Sequence, residues 1–315
     1  MRLKIFTVLV CLILTLVFSG CEQFSKIENN PGENEPAEQA EVVDTKQDVL
    51  DLFTALISRP ELVPNEIPDE IISSKYANMG LLQIYYQGEQ GVKYKLQVIK
   101  DDSRIVYDLF GDGRVESFSL QYGSGEYTVR IMENIRDDEY FAVESETFSV
   151  VIDDDIAVYL SSIQNIDWDY SKLPIEDVPY IVSDSLTDSH GDLLYECADD
   201  LYFYVAKNID YDFNKIDGLP YNYLPDIEQT YTDQSGLCYD YASLFASMMR
   251  SIGVPTKLVK GYASYDPDVY HAWVEVYIEG RWMILDPTQG SGVFGEFVLK
   301  DAEKAADDYM KVHEY

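Results

Sequence analysis

Cationic residues are scarce in this chain. Its 315 residues carry 23 Lys+Arg against 57 Asp+Glu, a formal net charge of −34. Phosphate contacts need cations, so a nucleic-acid binder is excluded, and a basic patch for anionic lipid is excluded on the same ground. Histidine is almost absent, with 3 in the whole sequence: His190, His271 and His313. No two of them have metal-ligand spacing, so neither a metal site nor a cofactor is expected. The 4 cysteines are too few for a disulfide framework. No apolar run reaches the roughly 20 residues that cross a bilayer. What is abundant is core material: 46% of the residues are hydrophobic and 13% aromatic, which excludes wholesale disorder.

The 14-residue apolar run at 5–18 follows a short positive start at Arg2 and Lys4. That is the length of a signal-peptide core. Phe18-Ser19-Gly20-Cys21 resembles a bacterial lipobox, with Phe18 where Leu is usual. The resemblance implies cleavage after residue 20, lipid attachment to Cys21, and an extracytoplasmic protein held at the cell membrane. An uncleaved N-terminal anchor is the alternative, and it leaves the chain on the same side. Residues 21–48 are acidic and lack apolar periodicity, which predicts a flexible linker. Residues 49–72 open with a short amphipathic helical pattern over 49–58, broken by Pro60, Pro64 and Pro68.

From residue 73 to 170 the period changes to two. Runs at 81–86, 93–99, 104–110, 115–122, 127–135 and 148–152 are rich in Val, Ile, Tyr and Phe, with Gly and Asp turns between them. This predicts a β-rich, sandwich-like domain. Residues 171–315 form a further domain. In it Ser189 stands where a helix could begin, and Leu194, Cys197, Leu201 and Val205 share one face, so Cys197 reads as a buried apolar residue. Asp210, Asp212 and Asn214 imitate the start of a calcium loop. The match fails at Lys215 and Tyr221, and a solvated turn is expected instead.

Chemistry is concentrated further on. Gly236 precedes a run in which Ala242, Phe245, Met248, Met249 and Ile252 share one helical face, and Gly253 with Pro255 ends it. Cys238 therefore stands at a helix N-terminus, where the macrodipole and unpaired N–H groups favour a thiolate and can hold an oxyanion. The imidazole partner is His271, at the start of the strand HAWVEVYI. Glu279-Gly280 is a two-residue turn that pairs Ile278 with Arg281, so paired numbers sum to 559. Asp286 then faces Trp273, and His271 is its diagonal neighbour at about 7–8 Å between backbones. A three-residue turn would instead put Asp286 on the opposite face. A Cys197–Cys238 disulfide is a third reading of the cysteines.

The stretch GLCYDYASLFASMMRSIGVPTKLVKGY, followed by HAWVEVYIEGRWMILDPT, resembles the transglutaminase-like cysteine-enzyme superfamily, with YVAKNIDYD upstream similar to the helix that precedes the catalytic segment. The resemblance covers residues 199–289. It implies an α+β, papain-like core in which a Cys-bearing helix packs on an antiparallel sheet. It also implies Cys238 as nucleophile, His271 as base and Asp286 as orienting acid. Such a site performs acyl transfer on a peptide or protein at the cell surface, through a thioester resolved by water or by an amine. No second oxyanion donor is assigned; Gln234 and Tyr231 are near in sequence only. The contrasting expectation is a non-catalytic cell-surface or cell-wall binding lipoprotein that keeps the fold as a scaffold.

Overall fold

The computed structural model describes residues 45–189, 191–290 and 298–315. The signal segment 1–20, Cys21, most of the linker and His190 lie outside the described residues. The chain starts with helix α1 (Lys46–Leu56), three residues ahead of the expected 49. Thr45 explains the difference: its hydroxyl accepts from the Asp48 N–H at 3.2 Å, and the Asp48 carboxylate accepts from the Thr45 N–H at 2.9 Å. That reciprocal cap satisfies two helix-end donors.

The β-rich part holds strands β1 (Ile72–Ser73), β2 (Leu81–Gln87), β3 (Tyr94–Lys100), β4 (Ser103–Leu109), β5 (Asp112–Ser119), β6 (Gly125–Arg136) and β7 (Glu139–Val150). They make two antiparallel sheets, ordered β1-β2-β5 and β4-β3-β6-β7. Strand β7 begins nine residues before the expected run at 148. Residues 139–147 carry Glu139, Glu144 and Glu146 and are largely exposed, so no apolar alternation announced them. Backbone pairing with β6 holds this edge instead. Alternation works where a face is buried: Tyr94, Leu96 and Val98 of β3 and Tyr127, Val129 and Ile131 of β6 are inside, and the Tyr107 ring meets Phe118 of the other sheet at 4.8 Å.

Next come α2 (Leu173–Glu176), α3 (Val178–Ile181), α4 (Ser183–Asp188) and α5 (Leu193–Asn208). Asp192, not Ser189, caps α5, accepting from the N–H groups of Leu194 and Tyr195 at 3.0 and 3.3 Å. A short strand β8 (Asp210–Tyr211) runs parallel to β9 (Ser235–Gly236), with helix α6 (Ile227–Asp233) between them. Helix α7 (Cys238–Ser251) follows β9 directly. Strands β10 (Thr256–Ala263), β11 (Asp266–Ile278) and β12 (Arg281–Leu285), the short helix α8 (Leu299–Ala302) and strand β13 (Tyr309–Glu314) complete the chain. This antiparallel sheet is ordered β12-β11-β10-β13.

Helix α7 differs from the one-faced helix expected. Every residue from Asp240 to Ser251 is buried, Ser243, Ser247 and Arg250 included. A helix at the centre of a fold has no solvent face, and its small residues let neighbours approach closely. Arg250 is fully enclosed and donates to the carbonyl oxygens of Thr256, Ser161 and Tyr315. Burial pushes its guanidinium down to about 9. The helix ends as expected. Gly253 takes φ 82°, and the N–H groups of Gly253 and Val254 return to the carbonyls of Arg250 and Met249. A Cβ at Gly253 would also lie 2.6 Å from the Ser58 carbonyl oxygen.

The fold is transglutaminase-like: mixed helices with antiparallel sheets and a Cys-bearing helix against one of them. The β-rich part and the helical part share one continuous core. Gln121 donates to the Glu314 carbonyl at 3.0 Å, Asn165 donates to the Tyr239 hydroxyl at 2.6 Å, and the rings of Tyr107 and Tyr315 are 5.5 Å apart.

Candidate active site

Cys238 is the first residue of α7. The residue before it, Leu237, has no side chain that can accept a hydrogen bond, so the first N–H groups of the helix are uncapped by a side chain. Asp240, two residues on, is fully buried and ties this corner together. Its carboxylate accepts from the Leu237 N–H and from Lys215 Nζ, both at 2.8 Å, and from the Tyr223 hydroxyl. The segment between β8 and α6 is thereby clamped against the start of α7.

The β11–β12 hairpin has the expected register. Ile278 pairs with Arg281, Tyr277 with Trp282 and Val274 with Leu285. Glu279 and Gly280 both have positive φ, 51° and 76°, as the tight two-residue turn requires. The outcome at the far end is a contact of 2.8 Å between His271 Nε2 and Asp286 Oδ2. The other ring nitrogen, Nδ1, is left free of Asp286. Cys238 and His271 line one cleft. Trp273 stacks on the His271 ring with centroids 6.3 Å apart.

Asp286 is held by more than its histidine. Oδ2 also accepts from the hydroxyls of Tyr309 at 2.8 Å and Tyr265 at 3.0 Å, and Oδ1 accepts from the Thr288 N–H and hydroxyl. Burial of this carboxylate pushes its pKa up, but the hydrogen bonds and the His271 charge outweigh burial, and the net direction is down. His271 shows the mirror balance. Burial pulls the imidazole down, whereas its bonds to Asp286 and Cys238 and their charges push it up, to about 10. The site therefore favours imidazolium and carboxylate together.

The structure brings Cys238 and His271 into one cleft and bonds the fully buried Asp286 to His271. It does not bring the other residues named from the sequence. Gln234 is exposed at the left-handed end of α6, and the Tyr231 hydroxyl donates to Asp177 at 2.7 Å while its ring stacks on Tyr204. Cys197 is fully buried on α5, both cysteines are free thiols, and burial pushes the Cys197 thiol up to about 12. His313 is an exposed residue of β13.

Four residues near the triad escaped the sequence reading: Tyr211, Tyr265, Thr288 and Tyr309. Only Thr288 had a local signal, its place in DPT. Tyr211 matters most. It lines the same cleft as Cys238 and His271, with its phenol close enough to Cys238 to be shifted by it. The parallel β8–β9 pairing, Tyr211 opposite Gly236, puts it there. Burial pushes this phenol up to about 12, so it is a neutral donor at neutral pH.

Comparison with known proteins locates this arrangement. Residues 182–287 match the family model of the transglutaminase-like superfamily. The kyphoscoliosis peptidase of Mus musculus is 32% identical over 122 residues, which are 36% of this chain and 18% of that protein. The human kyphoscoliosis peptidase is 32% identical over 142 residues, 42% of this chain and 21% of that protein. The chain thus spans about a fifth of the length of these curated relatives. Among solved structures, red sea bream transglutaminase is similar with a TM-score of 0.32 and 14% identity, over 69% of this chain and 49% of that one.

Proposed function

We propose, from the premise that residues 182–287 are a transglutaminase-like domain, that the protein is a membrane-tethered, extracytoplasmic cysteine acyl-transfer enzyme acting on peptide or protein amides. The observation that carries the reading is His271 hydrogen-bonded to the Asp286 carboxylate and lining one cleft with Cys238. Cys238 attacks the carbonyl and a C–S bond forms. Imidazolium Nδ1 passes its proton to the leaving amine as the C–N bond breaks, and a thioester remains. Neutral His271 then takes a proton from the incoming nucleophile, the thioester C–S bond breaks, and the thiolate and imidazolium return. Asp286 holds the ring in one orientation throughout. Hydrolysis is the favoured resolution, which makes the enzyme a peptidase or amidase; an amine would give cross-linking.

The test is to mix the protein with an activated peptide ester and follow Cys238 by mass spectrometry. A thioester on Cys238 that decays to free acid in water supports the reading. An unmodified Cys238, or an adduct that leaves only on adding an amine, removes the hydrolytic assignment. Tethering rests on the lipobox-like residues 18–21. Labelled palmitate should enter the wild type and not Cys21→Ala, and equal labelling would remove that part of the proposal.

The oxyanion formed during attack needs two donors. The Cys238 N–H at the head of α7 and the Tyr211 hydroxyl on the cleft wall are our candidates for these roles. Tyr211→Phe is expected to slow acylation by p-nitrophenyl acetate about 10²-fold. Alkylation by iodoacetamide forms no oxyanion and should change less than about threefold, well below the effect of losing one donor. If both rates fall together, Tyr211 serves the thiolate and not the oxyanion.

A further inference from the structure

The cavity that contains Cys238 and His271 has a volume of about 260 Å³. Its walls are apolar and unusually open to water. Ile216 is 50% exposed, Leu219 38%, Val269 51% and Tyr270 45%. Ile216 and Leu219 belong to the segment that Lys215 and Tyr223 clamp to Asp240, and Val269 and Tyr270 come from the outer part of β11. Two separate elements thus present large apolar side chains to one mouth, where covering them returns roughly 25 cal/mol per Å². Lys260 is on the same wall. It stands on β10 opposite Ala272, with its ammonium 3.4 Å from the Tyr239 ring centroid and 5.4 Å from that of Tyr315. Among the described residues no carboxylate forms an ion pair with it. Asp108 attracts it only at longer range and pairs with Lys95 at 3.5 Å.

We propose that this cavity is an acyl-donor subsite for a peptide segment that carries an apolar or aromatic side chain and, close to it, a carboxylate that pairs with Lys260. The proposal rests on the acyl-transfer reading and adds the substrate class to it. A half-buried ammonium with aromatic faces but no counter-ion gains a charge-assisted hydrogen bond when a carboxylate arrives, and a basic ligand meets repulsion there. Burial already pushes this ammonium down to about 8, against the attraction of Cys238 and Asp108. The net charge of −34 points the other way, toward cationic peptides. Exposed surface charge is screened within about 8–10 Å, so the local cation governs the cleft.

The test compares two p-nitrophenyl esters with the same reacting carbonyl: N-succinyl-Phe, which carries a carboxylate, and N-(β-alanyl)-Phe, which carries an ammonium. The rate with Cys238→Ala is subtracted as background. The ratio of their kcat/KM values is read within each variant, so a change in folded fraction cancels. The wild type should prefer the succinyl ester about tenfold. Lys260→Arg should retain the preference, Lys260→Met should bring the ratio to about one, and Lys260→Glu should invert it. A wild-type ratio of one or less, or the same ratio in Lys260→Met, overturns the subsite while leaving the acyl-transfer reading intact. Acylation of both esters no faster than in Cys238→Ala overturns that reading and the subsite with it.

Discussion

Replacing Cys238 by Ala is expected to lower kcat/KM for acyl transfer about 10⁶-fold, and adding His271→Ala to that variant is expected to cost nothing more. In the proposed mechanism the two side chains act in one step: Cys238 is the nucleophile, and the imidazolium beside it protonates the leaving amine. Once either is gone, the other has no remaining task, so their effects do not add. Cys238 is only half-buried at a helix end, and its loss should leave the fold intact, with an unchanged urea midpoint. The measurement is a thermodynamic cycle of wild type, both single variants and the double variant on one activated ester. Two large effects that multiply would mean that Cys238 and His271 work independently, and the unit described here would be wrong. A Cys238→Ala protein as active as wild type would favour the scaffold alternative, a binding lipoprotein without chemistry.

The second large effect belongs to Asp286→Asn, with about a 10⁴-fold loss of activity and a changed pH dependence. In the wild type the folded His271 has its pKa raised from 6.5 to about 10. Its contribution to stability is then complete below about 6.5 and is lost as pH rises through about 10. Asp286 has the opposite sign: its pKa is lowered from 3.8, so its contribution is present above that value and lost as pH falls through the lowered one. With Asn at 286 only the influence of Cys238 is left to offset the burial of the imidazole, which moves down toward its ordinary value. A larger share of the ring is then neutral at pH 7. Iodoacetamide labelling of Cys238 at pH 7 should fall, and the alkaline loss of stability between about 6.5 and 10 should shrink in urea titrations. The hydroxyls of Tyr265, Tyr309 and Thr288 also lose a charged acceptor, at a cost of about 1–3 kcal/mol. An unchanged pH profile would show that Asp286 does not govern His271.

The two readings of the hairpin show where local sequence is sufficient. A two-residue turn and period-two alternation determine which strand residues face each other, because both are properties of the backbone within about 20 residues. Hence the sequence alone places His271 and Asp286 on one face, and the observed pairs follow the same register. Cys238 at the head of a helix is equally local, since glycine, the apolar spacing and the Gly253 stop all lie within one short stretch. The all-round burial of α7 was not legible, because its serines and Arg250 look like a solvent face until three other elements close over them. The exposed half of β7 was not legible either, because an edge held by backbone pairing needs no apolar period.

The chain by itself thus determined where Cys238, His271 and Asp286 stand on their own elements, since each position is specified by a turn, a helix end or a strand period within its own segment. Tertiary structure alone decided what makes them a site. Tyr309 reaches Asp286 from a strand 23 residues downstream, and Tyr211 reaches Cys238 from 27 residues upstream. Among the described residues Lys260 has no carboxylate paired with it where the strands converge. Such contacts join segments whose spacing in the chain carries no period, and only the closing of the sheet around α7 sets their distances.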